Sequence, residues 1–129
     1  MKSSVSTSPI AKLGLVAIDG RDALALAEFC AAIPGWRIEP WEDDGRIRLV
    51  GDTGATIAFQ KALGHVPPQW PGDVHPQQLH LDFDVPDLDE GGRRVLEIGA
   101  RKRGFQPAPG NFRVFLDPGG HPFRLVRSN

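Results

Sequence analysis

Gln78-Leu79-His80-Leu81-Asp82-Phe83-Asp84-Val85, running into Pro86-Asp87-Leu88, decides the fold. Polar and apolar residues alternate with the period of an extended strand. His80, Asp82 and Asp84 therefore share one face, and Leu79, Leu81, Phe83 and Val85 the other. The apolar face needs a helix to cover it. Asp87 and Glu90, at capping-box spacing, open one that runs to about Ile98, with Leu88, Val95 and Ile98 as its inward stripe. Gly91-Gly92 weakens it by about 1 kcal/mol per glycine, so packing must hold it. Gly99 ends it. Residues 100–106 read as a strand and Phe112-Arg113-Val114-Phe115-Leu116 as another. After the tight turn Asp117-Pro118-Gly119-Gly120, Pro122 to Val126 closes the chain. The order is β-α-β-β-β.

The same order stands upstream. Leu13 to Ile18 is a short apolar strand. Asp22 N-caps a helix to about Ile33, in which Leu26, Phe29, Cys30 and Ile33 fall on one face. Pro34-Gly35 stops it. Three strands follow: Trp36 to Pro40; Arg46 to Val50, after the turn Asp43-Asp44-Gly45; and Ala55 to Gln60, after Gly51-Asp52-Thr53-Gly54. A shift of 65 residues carries Asp19 and Asp22 onto Asp84 and Asp87, Leu15 onto His80 and Ile33 onto Ile98. A shift of 66 carries Ile57-Ala58-Phe59 onto Phe123-Arg124-Leu125. Two copies of one unit predict a pseudo-twofold α+β domain. In this reading each sheet curls around one helix, and the cavity between the sheets is lined by the strand faces turned away from the helices.

The predicted organisation is a loose serine-rich tail over residues 1–10 and one domain over 11–129. Module one spans 12–60, a linker or lid loop 61–77, and module two 78–127. The loop holds Pro67-Pro68-Gln69-Trp70-Pro71-Gly72, rigid and turn-rich, which places Trp70 either at a lid or tucked into the core. A net charge of -1 argues against nucleic acid and acidic membranes as partners. The short basic run Arg101-Lys102-Arg103 reads as a solvated turn. Cys30 is the one cysteine, so neither an intrachain disulfide nor a cysteine zinc cluster forms, and a small core residue is expected there. No stretch reaches transmembrane length and no signal-peptide apolar core opens the sequence, so a soluble, cytoplasmic protein is expected.

A tandem β-α-β-β-β pair over about residues 12–127 resembles the vicinal oxygen chelate superfamily: glyoxalase I, extradiol dioxygenases, fosfomycin-resistance enzymes and bleomycin-binding proteins. The resemblance is carried by the helix from Asp22 to Phe29 and the turn Asp117-Pro118-Gly119-Gly120-His121. Gln60, Pro67-Pro68-x-Trp70-Pro71, Gln77-Gln78-Leu79-His80-Leu81-Asp82 and Gly120-His121-Pro122-Phe123 are similar to the subgroup of glyoxalase-like domains. Metal-dependent members place a His, Gln or Glu at four cavity-facing positions. By the register above these are Leu15, Ala58, His80 and Arg124, of which only His80 is a ligand type. Leucine and alanine have no donor, and arginine repels a cation. No cofactor is therefore expected. A divalent metal would need a displaced site at His80 and Asp82, roughly 6–7 Å apart along the strand, joined by Gln60.

Three functions stay open. The first is a metal-free binder of a small molecule, its cavity lined by Gln60, His80, Asp82, Asp84, Arg124 and Phe115 with Trp70 near the mouth. Tryptophan and carboxylates suit a planar or cationic ligand. The second is a lyase or isomerase, either metal-dependent or with His80 as base and Asp82 orienting it. The third is a dimerising interaction domain, the 61–77 linker allowing module exchange within a homodimer. Against the first two stands the plain reading that Arg124 neutralises the acidic strand in an ion-pair network. His121 is expected to cap local backbone, and His65 and His75 flank the proline loop at the pocket mouth or in solvent.

Overall fold

The computed structural model describes residues 9–11, 13–40, 46–51, 56–69, 71–72 and 74–128. Trp70, most of the serine-rich tail and the turns at 43–45 and 52–54 lie outside the described residues. The first module contains β1 (Val16–Gly20), α1 (Ala23–Ala32), β2 (Arg37–Pro40), β3 (Ile47–Val50) and β4 (Thr56–Lys61). The second contains β5 (Leu81–Val85), α2 (Leu88–Glu97), β6 (Arg101–Lys102), β7 (Phe112–Leu116) and β8 (Pro122–Arg127). Each module forms its own four-stranded sheet, in the orders β1-β4-β3-β2 and β5-β8-β7-β6. β1 runs parallel to β4 and β5 to β8, and the other pairings are antiparallel. The chain is α+β, two βαβββ modules.

The repeat holds at the level of hydrogen-bonded register. Ala17 stands opposite Ala58 as Asp82 stands opposite Arg124, and Val16 opposite Ile57 as Leu81 opposite Phe123. The two sequence shifts map each pair onto the other.

Both helices start where their aspartates require. Asp22 Oδ1 accepts the Ala25 N–H at 3.0 Å and Asp87 Oδ1 the Glu90 N–H at 3.0 Å, each satisfying a donor that the helix itself leaves open. The capping box of α2 is only half made, because the Glu90 carboxylate turns to Arg93 at 2.6 Å, one turn along. Gly92 has a packing reason. A Cβ there would lie 3.3 Å from the Phe115 ring, so glycine lets α2 settle close onto its sheet. Among the described residues no helix is long and apolar enough to cross a membrane.

Three expectations need correction. β1 begins at Val16, not Leu13, since its pairing with β4 reaches Gly20 opposite Lys61 and Leu13 is left exposed. Leu79 precedes β5 and is 79% exposed. Ile98 is the C-cap of α2 and 43% exposed, beyond the packed face formed by Leu88 and Val95.

The modules share one apolar core. Leu26, Phe29 and Cys30 of α1 join Leu49 and Phe59 of the first sheet and Phe115, Phe123 and Leu125 of the second. Phe123 is the junction. Phe29 meets it edge-on at 5.7 Å, Phe83 edge-on at 5.9 Å, and Phe115 stacks on it at 5.7 Å. The helix-bearing sides of the two sheets thus pack together, which turns the polar strand faces away from the core.

Candidate functional site

A cleft of about 750 Å³ runs between the outer edges of β1 and β5. Val16 to Asp19 form one wall and Gln78 to Leu81 the other. Phe29, Cys30, Phe83 and Phe123 form the floor, and His65, Pro68 and Pro76 of the linker close one end. The floor is apolar because both strands present alternate residues to the shared core. The rim is polar because the intervening residues point the other way. Burial on that floor pushes the Cys30 thiol well up, so it stays protonated, with the nearby Asp117 charge adding to the effect.

Gln60 and His80 line this cleft. Gln60 Nε2 donates to Asp19 Oδ1 at 2.7 Å, tying β4 to β1 at the rim. His80 Nε2 lies 3.2 Å from Asp82 Oδ1, and Asp82 also receives both forks of the Arg124 guanidinium at 2.8 and 2.6 Å. Arg124 lies 4.4 Å over the Phe112 ring. The Arg124 hydrogen bonds and charge hold the Asp82 carboxyl below the usual carboxylate range, with His80 adding to the effect. These three side chains form a partly exposed network on the polar face of the second sheet. His80 and Arg124 border a small hollow of about 80 Å³ there, with Gln77 and Phe112.

The predicted set therefore divides. Gln60 and His80 reach the cleft. Asp82 and Arg124 pair beside it, and Asp84 stands exposed two residues further along β5. Phe115 must be removed from the cavity. It is 1% exposed, opposite Phe123 in the sheet, and so on the helix side with the core. Phe112, Val114 and Leu116 are the β7 residues on the face that carries Arg124. His75 is exposed, whereas His65 lines the cleft.

The fit to a metal can be tested directly at the four family positions. Leu15 and Ala58 carry no donor, and Arg124 brings a cation already bound to Asp82. Among the described residues no group of three His, Cys, Asp or Glu is arranged to hold a metal ion. The side chains present do not match the four-ligand site.

A second polar cluster at the cleft escaped the sequence reading. Asp117 is 6% exposed, and its Oδ1 accepts the N–H groups of Gly119 and His121 at 2.9 Å each and faces His121 Nδ1 at 3.0 Å. The aspartate, not the histidine, satisfies the turn's backbone. The His121 ring stacks on His65 at 4.8 Å, joining the linker to the second module. It also lies near enough to Asp19 of β1 for that residue's backbone and carboxylate to act on its pKa. The motif Asp-Pro-Gly-Gly-His was visible, but its reach across to β1 was not.

Burial alone would lower the His121 pKa. The Asp117 hydrogen bond and charge, with the Asp19 backbone and carboxylate, reverse that and raise it above 6.5. The folded state therefore binds this proton more tightly than the unfolded chain does. The stabilisation is complete below about pH 6.5 and fades as pH rises through the folded value. Urea unfolding from pH 5.5 to 8.5 should show the parent chain losing stability relative to His121→Gln across that window. A constant difference between the two would refute the assignment.

Comparison with known proteins places this geometry. A family model described as Glyoxalase-like domain matches residues 15–126. The fosfomycin resistance protein FosX of Listeria monocytogenes superposes with a TM-score of 0.68 at 15% identity, covering 94% of this chain and 96% of that one. FosX of Mesorhizobium loti gives 0.65 at 18%, covering 94% of each. A glyoxalase/bleomycin resistance protein/dioxygenase family enzyme of Burkholderia phytofirmans gives 0.64 at 21%, covering 91% and 98%. No curated protein matches the chain.

Proposed function

The chain belongs to the glyoxalase-like domain family of the vicinal oxygen chelate superfamily, and from that premise we propose that it binds a small, largely apolar molecule in the β1–β5 cleft without the four-ligand metal site. The observation that carries this reading is the cleft itself, about 750 Å³ with three phenylalanines on its floor and Gln60, His65 and His80 about its rim. That volume falls in the range of small-molecule sites, and an apolar body with a few convergent polar groups is their usual composition. Phe29, Phe83 and Phe123 favour a planar ring, which gains offset or edge contacts beyond its area burial. Gln60 and His80 then orient the ligand's polar end. The metal is left out on chemical grounds, because one imidazole among leucine, alanine and a paired arginine is no coordination sphere.

The test uses 8-anilinonaphthalene-1-sulfonate, a fluorescent probe with an apolar body, on the full chain. Saturable binding near one equivalent is expected. Ala17→Trp should weaken it about tenfold, because Ala17 is exposed on the cleft wall and a tryptophan there fills the mouth while leaving the core untouched. Unchanged binding in Ala17→Trp, or no saturation at all, would remove this reading.

A further inference from the structure

We propose a second, separate site: the groove between the proline-rich loop and β6 binds the phosphate group of a small soluble phosphomonoester through Arg101 and Arg103. The groove has a volume of about 420 Å³ and is lined by Pro67, Gln69, Arg101, Arg103, Leu116 and Gly120 among others, with no carboxylate among the described residues of its wall. Arg37, Arg93, Arg113 and Arg124 each hold a carboxylate at 2.6 Å, and Arg48 holds one at 3.1 Å. Among the described residues, no carboxylate pairs with Arg101 or Arg103. Arg103 goes further, since its Nε is out of contact with water and has no acceptor among the described residues. A guanidinium nitrogen removed from water without a partner is costly to keep, which marks Arg103 as incompletely satisfied where it stands. The outer nitrogens of both guanidiniums are the donors an oxyanion in the groove would engage.

The groove is built to hold its shape. Arg101 stands opposite Leu116 in the β6–β7 pairing, and the Arg103 N–H donates to the Val114 carbonyl at 3.1 Å. Gln106 Nε2 donates to the Arg103 carbonyl at 2.8 Å and to that of Val114 at 2.9 Å, while its Oε1 accepts the Val114 N–H, so the backbone that carries the guanidinium is pinned. On the opposite wall Pro67 sits so close to Gly120 that a Cβ there would lie 2.7 Å from its ring, and Gly120 has a φ of 86°. The loop is thus seated on the turn. Two arginines two residues apart on an extended edge point to the same side, roughly 6–7 Å apart along the chain. Two planar forks at that separation suit a doubly charged oxyanion better than a single carboxylate, since each takes two oxygens of the same group. Pro68 lines both this groove and the cleft, so the loop is a wall between two sites.

The experiment is titration of the full chain with inorganic phosphate at low salt, followed by calorimetry, with acetate as the singly charged comparison. Saturable binding near 1 mM, in the range of weak small-ligand affinities, is expected, with acetate weaker. Arg101→Gln and Arg103→Gln should each weaken it about tenfold, the double variant should abolish it, and Lys102→Gln should leave it unchanged. Arg101 is exposed, so its variant keeps the test meaningful even where Arg103→Gln unfolds the chain. No saturation at tens of millimolar phosphate, or equal affinity in Arg101→Gln and the parent chain, would overturn the proposal.

Discussion

Replacing Phe123 with alanine is expected to lower folding stability by about 3–5 kcal/mol, the usual result of deleting a fully buried ring. The site has no way to collapse around the loss. Phe123 is 3% exposed, and three rings surround it, one from α1 and two from its own sheet. Each would face a void, and dispersion contacts to a void are simply lost. Against a typical total of about 5–15 kcal/mol, this is enough to leave part of the population unfolded at room temperature. Phe123→Leu keeps most of the volume and should lose much less. Urea midpoints of the two variants decide the matter. A Phe123→Ala shift no larger than that of a surface substitution would mean that the modules do not share a core at this ring.

The second large effect is expected at Asp117. Its carboxylate takes two backbone N–H groups and the His121 ring in one buried position. Asp117→Ala leaves all three donors without an acceptor, and each unsatisfied buried group costs on the order of 1 kcal/mol or more. A loss of about 2–4 kcal/mol follows, less than a fully buried ion pair would give because His121 keeps some contact with water. The substitution should also erase the pH dependence traced to His121, because the first interaction raising that imidazole is gone. Denaturation of Asp117→Ala at pH 5.5 and 8.5 measures both consequences at once. A variant as stable as the parent chain, or one with the parent's pH dependence, would show that the turn is held by something other than this side chain.

Much of the fold was legible because its determinants are local. Asp22 and Asp87 cap the helices they were predicted to open, and the alternation from Leu81 to Val85 puts each side chain on the expected face. The repeat gave register as well as element order, because parallel partners in both modules are separated by nearly the same length of chain. The site was less legible. Alternation says which residues share a face, but not which face of β7 meets the core, and so it does not tell that Phe115 lies on the core side. Its pairing with Phe123, a residue in another strand, decides that. His121 shows the same limit. Its i−4 aspartate could be read from the motif, while its contacts with His65 and Asp19 join segments far apart in sequence. The cleft also depends on how the two modules dock, which no single strand pattern contains.

The parallel pairing inside each module has a kinetic consequence. Val16 and Ile57 are about forty residues apart, as are Leu81 and Phe123. Closing such a loop costs roughly 3 kcal/mol of chain entropy before any later contact repays it. Two slow closures of equal length, each confined to one half of the chain, are therefore expected to form before the halves meet. The ring contact between Phe29 and Phe123 spans more than twice that separation and belongs to the final docking step. Contacts made after the transition state act on the rate of unfolding rather than of folding. In stopped-flow measurements, Phe123→Ala should accordingly move both arms of the chevron, because its contacts with Phe83 and Phe115 form within the second module and only its contact with Phe29 waits for docking.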